Sequence, residues 1–184
     1  MSKRALILID IQNDYFEGGK WELDAMHIAA ANATSVLAAA RAAGDKVIHV
    51  RHEFESDEAP FFAPRSTGAR IHSQVQPLPD ESVVLKHQVN AFLGTDLKAQ
   101  LDAAGIEQVT LVGAMSHMCI DAAARASSDF GYATTVIHDA CATRDQEFEG
   151  QSIPAAQVHA AYMAALAFAY ANVVSTEQYL KDLH

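Results

Sequence analysis

Two hydrophobic rhythms alternate along the chain. Short apolar runs rich in β-branched residues at 5–11, 46–51, 82–85, 108–112, 133–137 and 172–175 have the length and composition of strands. Alanine-rich stretches at 26–42, 96–104, 118–130 and 154–170 predict helices, with Gly44, Gly105 and Gly131 placed where helices commonly stop. Strands that alternate with helices predict a parallel sheet covered on both faces, because parallel neighbours need crossover connections. Segment 54–81 breaks the rhythm: it holds Pro60, Pro64, Pro77 and Pro79, shows no sustained period, and reads as a long loop. Phe61 and Phe62 give that loop something to bury, so a surface excursion packed on its own aromatics and a lid over a site both stand.

Composition narrows the class. The 184 residues suit one domain spanning 1–184, and 50% hydrophobic with 20% charged residues is ordinary for a globular chain. A formal charge of −10 argues against nucleic acid as a partner, since phosphate backbones are bound by clustered cations. The apolar run at 5–11 carries Asp10, is far too short to span a bilayer, and is not followed by a signal-cleavage pattern. No membrane association and a cytoplasmic location are therefore expected. Cys119 and Cys141 read as free thiols, although a single bridge is open on count alone.

Candidate chemistry lies just past the strands, because ligands of open parallel sheets bind at strand carboxyl ends. Asp10 closes the first run, Lys86 follows Val83-Val84-Leu85, and Cys119 follows 111–116 at the start of a predicted helix. An ammonium and a helix N-terminus would lower the Cys119 pKa, and a carboxylate at the same cleft can shuttle its proton. Backbone N–H groups in the turn from Gly113 to Cys119 are candidate oxyanion donors. Spacing alone leaves ordinary alternatives open: a buried hydrophobic Cys119, a solvated Lys86 and a turn-forming Asp10.

Longer motifs contain the same three residues: Leu8-Ile9-Asp10-Ile11-Gln12-Asn13-Asp14-Tyr15-Phe16, Lys86-His87-Gln88-Val89-Asn90-Ala91-Phe92 with Thr95, and Gly113-Ala114-Met115-Ser116-His117-Met118-Cys119-Ile120. Here the chain resembles the isochorismatase-like cysteine hydrolases, nearly end to end. The resemblance implies a Rossmann-like three-layer αβα fold with a six-stranded parallel sheet in the order 3-2-1-4-5-6. It further implies a triad of Asp10, Lys86 and Cys119 that forms a thioester with a small amide, an oxyanion hole from the N–H groups of Met115 and Cys119, a cis peptide at Ala114-Met115, no cofactor, and assembly as a homodimer or homotetramer. The nicotinamidase-type Asp-x-His metal pattern is replaced by Val50-Arg51-His52, so no metal is expected, with His49, His52 and His72 the weaker alternative.

Phe16, Trp21, Phe61, Phe62 and His117 are candidates to line the substrate pocket, and Arg65, Arg70 and Arg144 to meet a substrate carboxylate. Two rivals to amide hydrolysis remain: an isochorismate-type vinyl-ether hydrolase that needs Asp10 but not Cys119, and a non-catalytic binding or assembly protein on the same fold.

Overall fold

A computed structural model describes residues 3–183. Six parallel strands form the sheet: β1 (Arg4–Ile9), β2 (Lys46–His52), β3 (Ser82–Lys86), β4 (Gln108–Ala114), β5 (Ala133–Ala142) and β8 (Asn172–Val174). Their order is β3-β2-β1-β4-β5-β8, the expected order, because the sixth parallel strand becomes the eighth in sequence once a hairpin, β6 (Gln146–Phe148) with β7 (Gln151–Ile153), is inserted before it.

Central β1 is buried on both faces, and its alternating side chains feed two separate cores. Ala5, Ile7 and Ile9 pack with Leu97 and Leu101 of α2 (Leu97–Ala103), Ala123 and Ala124 of α3 (Asp121–Asp129), and Met163 and Leu166 of α4 (Ala155–Ala169). Leu6 and Leu8 pack against α1 (Met26–Ala43), whose buried Ala29, Ala30, Ala33, Val36, Leu37 and Ala40 keep a helical period. Tyr179 of α5 (Thr176–Asp182) joins that second core. Three layers result, as the alternation predicts.

Two elements escape the sequence reading. Helix α5 begins at Ser175, whose side chain accepts from the Gln178 N–H at 3.2 Å; Ser175 with Gln178 has the spacing of a capping box, a signal that was there to be read. The hairpin turns on Glu149 and Gly150, both at positive φ, a mirror-image turn that glutamate seldom enters. The predicted helix at 118–130 is instead a π-helical turn, Ser116–Ile120, running into α3.

Gly113 is required by packing. A Cβ there would lie 1.9 Å from the Ile9 carbonyl oxygen, and Gly113 sits at φ +127° where the register between β4 and β5 shifts. This close approach brings the turn bearing Cys119 alongside the end of β1.

Candidate active site

Three strand ends and one turn converge. Asp10 immediately follows β1 at φ 54°, a left-handed conformation that aspartate tolerates better than most residues, and its N–H donates to the Val50 carbonyl at 2.9 Å. His52 and Lys86 are lateral partners in the β2–β3 ladder, so their side chains leave the same face of the sheet. Cys119 comes from the π-helical turn, in which Met115 C=O accepts from both Met118 and Ile120.

Lys86 is fully buried and central to the site. Its Nζ lies 2.8 Å from Asp10 Oδ2 as an ion pair and donates to His52 Nδ1 at 2.9 Å, Gln88 O at 3.1 Å and Cys119 Sγ at 3.3 Å. Burial pushes the Asp10 carboxyl up, against the pull of Lys86. It pushes the Cys119 thiol up as well: burial first, then the Asp10 charge, outweigh Lys86 and raise it to about 12. The expectation of a lowered Cys119 pKa is therefore wrong, because a thiol at 5% exposure loses more to desolvation than one lysine returns. Burial and then the adjacent ammonium hold His52 down to about 3, so it stays neutral.

These groups open onto a cavity of about 230 Å³ with Tyr15, Phe54, Phe61, Val89, Met115 and Met118 as its apolar lining. Asp10, Cys119, His52, His87 and Gln88 complete the wall. Of the pocket candidates read from sequence, Phe61 reaches the cavity. Phe62 is fully buried behind it, its ring 4.6 Å from that of Tyr15. Trp21 stacks on Phe61 at 4.7 Å, and the Arg144 guanidinium lies over the Trp21 ring at 4.3 Å. Phe16 stacks on His72 at 3.6 Å at a different pocket, and His117 Nδ1 pairs with Thr143 Oγ1 at 2.6 Å. Arg65, Arg70 and Arg144 are all absent from the cavity wall. His52, Tyr15 and Phe54 were missed as lining residues: each sits beside a quoted motif or strand end, but nothing in one sequence says which way it faces.

The long loop is fastened, which favours the packed excursion over a free lid. Buried Gln12 donates to the carbonyls of His52 and Ala69, both at 2.8 Å, and accepts from the His52 N–H at 2.7 Å. Buried Asp14 accepts from Phe62 N–H at 2.7 Å, and Gly68 lies so close to its carboxylate that a Cβ would stand 2.1 Å away. The polar residues after Asp10 thus tie 54–81 onto the end of β1. His49 bonds Glu81 at 3.0 Å, and His72 is stacked on Phe16. Among the described residues no group of three His, Cys, Asp or Glu side chains could hold a metal ion.

A six-stranded parallel sheet between helical layers, with a small, largely apolar cavity at its carboxyl edge, defines a Rossmann-like three-layer α/β protein. Residues 4–178 match the Isochorismatase domain, and the chain belongs to the isochorismatase family of hydrolases. It is 46% identical over 177 residues to the uncharacterized isochorismatase family protein YddQ of Bacillus subtilis (strain 168), covering 96% of this chain and 98% of that one. It is 36% identical over 144 residues to a streptothricin hydrolase of Streptomyces noursei, covering 77% of this chain and 50% of that one. A crystal structure described as an isochorismatase hydrolase from Oleispira antarctica superposes with a TM-score of 0.94 at 55% identity, covering 97% and 96% of the two chains. No helix among the described residues is long and apolar enough to cross a membrane.

Proposed function

We propose that the protein is a cysteine hydrolase that cleaves a carbon–nitrogen bond of a small, non-peptide amide through a thioester at Cys119. The observation that carries this reading is the single ammonium, Lys86, bridging a buried carboxylate at 2.8 Å and a thiol sulfur at 3.3 Å on the wall of one cavity. Because the thiol rests protonated, attack needs a base, and Asp10 takes the proton as Sγ bonds to the substrate carbonyl carbon. Lys86 and the N–H groups of Met115 and Cys119 then stabilise the oxyanion. Protonated Asp10 passes its proton to the departing nitrogen. Asp10 next deprotonates a water that attacks the thioester, releasing the acid and restoring the thiol.

Cavity dimensions support a small substrate. About 230 Å³ lies below the roughly 300–1,000 Å³ typical of drug-sized ligands, and Lys86, the one Lys or Arg bonded to this cluster, is already paired with Asp10. A small, uncharged, partly apolar amide fits best. Assembly as a homodimer or homotetramer, through the alanine-lined outer face of α4 with its 90% exposed Phe168, belongs to the same proposal. So does a cytoplasmic location.

Ammonia release from a panel of small amides, nicotinamide and ureido compounds included, tests the chemistry in wild type, Cys119→Ala and Asp10→Ala. Turnover lost in both variants is the expected result. Cleavage of isochorismate that survives Cys119→Ala would move the protein to the vinyl-ether reading.

A further inference from the structure

His52 has no part in the steps above, yet it is 6% exposed, lines the cavity, and has its backbone bonded on both sides by Gln12. Its ring is braced edge-on against Phe54 at 4.6 Å. Its Nδ1 is 2.9 Å from Lys86 Nζ. A lysine ammonium is a donor only, so Nδ1 must accept and the ring carries its proton on Nε2. Around Nζ stand four acceptors within 3.3 Å for three protons: Asp10 from the end of β1, His52 from β2, the Gln88 carbonyl after β3, and Cys119 from the π-helical turn. Lys86 is the cation at this cluster, with His87 adding a charge-dependent push on His52 and Tyr15 lying within the field of Asp10 and Cys119.

We propose that His52 is a positioning residue acting through Lys86: its neutral Nδ1 takes one of the three ammonium protons that Asp10, the Gln88 carbonyl and Cys119 would otherwise share. Without it the three ammonium protons would fall to the three remaining partners, turning the ammonium more fully onto Asp10 and Cys119, making Asp10 a weaker base and the sulfur easier to ionise. His52 would thereby hold the thiol back in the resting enzyme and keep the carboxylate ready to accept its proton. A histidine suits this task because burial and the adjacent cation keep it an acceptor throughout the working pH range. The inference rests on the cysteine-hydrolase reading of Asp10, Lys86 and Cys119.

The decisive experiment is the pH dependence of Cys119 alkylation by iodoacetamide, followed by mass spectrometry on the full chain in wild type, H52L and H52N. Asparagine puts a carboxamide oxygen near the place of Nδ1, whereas leucine removes the acceptor at similar size. The alkylation midpoint is expected to fall by about one pH unit or more in H52L and to stay near wild type in H52N. For any amide the panel identifies, H52L should lose about tenfold or more in kcat with little change in KM, and H52N should recover most of it. A midpoint unchanged in H52L, or displaced equally in H52N, would overturn the proposal. If H52L does not fold, H52F takes its place under the same criteria, since a phenyl ring fills the space of the imidazole without offering a nitrogen or oxygen acceptor. Alkylation needs no substrate, so failure here is separable from failure of the hydrolase reading, which Cys119→Ala turnover decides.

Discussion

Cys119 and Cys141 make a natural comparison. Both are buried free thiols near strand carboxyl ends, both are pushed up to about 12, and each lines a cavity. The one beside Cys141 is the larger, about 320 Å³ against 230 Å³, and is bordered by His138, His159 and Asp24. What separates the two thiols is their neighbours. Burial and, less strongly, the Asp139 charge raise Cys141, with a backbone N–H of Gly113 opposing them, whereas Cys119 has a carboxylate paired with an ammonium within reach. A desolvated thiol is inert until a base can take its proton, so the proposed chemistry is placed with the Asp10–Lys86 pair and not with the larger cavity.

The sharpest way to break this comparison is kinetic. Asp10→Asn should lower kcat/KM by about 10³-fold or more, as removal of a general base does, while Cys141→Ala should stay within about twofold; comparable losses would mean the Cys141 cavity takes part. Alkylation comes next. At pH 8 both native thiols should react with iodoacetamide on the order of 10³-fold more slowly than a free thiol, reflecting a rise from 9.0 to about 12. Rapid labelling of Cys119 alone would show that substrate-free protein already holds a thiolate.

Stability gives smaller but cleaner contrasts. Lys86→Met strands the Asp10 carboxylate in a site with 0% exposure and should cost about 3–5 kcal/mol by urea denaturation. Cys141→Ala, which removes one sulfur from a packed core, should cost about 1 kcal/mol. If both variants cost the same, the ion pair contributes nothing beyond packing.

The mildest effect concerns pH. Burial lowers His49, His52, His117 and His159 below their ordinary value. For a depressed histidine the unfolded chain binds the proton first, so its contribution is complete above about pH 6.5 and is lost as pH falls, for His52 down to about 3. Asp10, with its raised pKa, works in the opposite direction. Net, the melting midpoint at pH 5 should lie about 5 °C below that at pH 7.5. No change would mean either that the raised Asp10 carboxyl offsets the histidines or that they are already protonated in the fold, and the same pair of measurements on Asp10→Asn separates the two.

Much of this molecule was legible in the residues alone. Hydrophobic period distinguishes strand from helix, and an ordered alternation of the two admits few layer arrangements; hence the layered parallel sheet was accessible before any coordinates, while the strand order came from what the family resemblance implies. Strand ends made Asp10, Lys86 and Cys119 candidates, but polar strand ends are common in α/β proteins, and it was the longer motifs shared with the isochorismatase-like hydrolases that singled them out. The β6–β7 hairpin was hidden by an unusual turn residue, and α5 by its shortness.

Tertiary structure alone decided the rest, because facing and desolvation are properties of the packed chain. Phe61 reaches the cavity while the adjacent Phe62 is buried behind it. Gln12 and Asp14, anonymous in a loop-like stretch, prove to fasten a segment some fifty residues away. The sign of the Cys119 shift reversed for the same reason: sequence names the charges near a thiol, but how much water the fold removes from it depends on every residue packed around it.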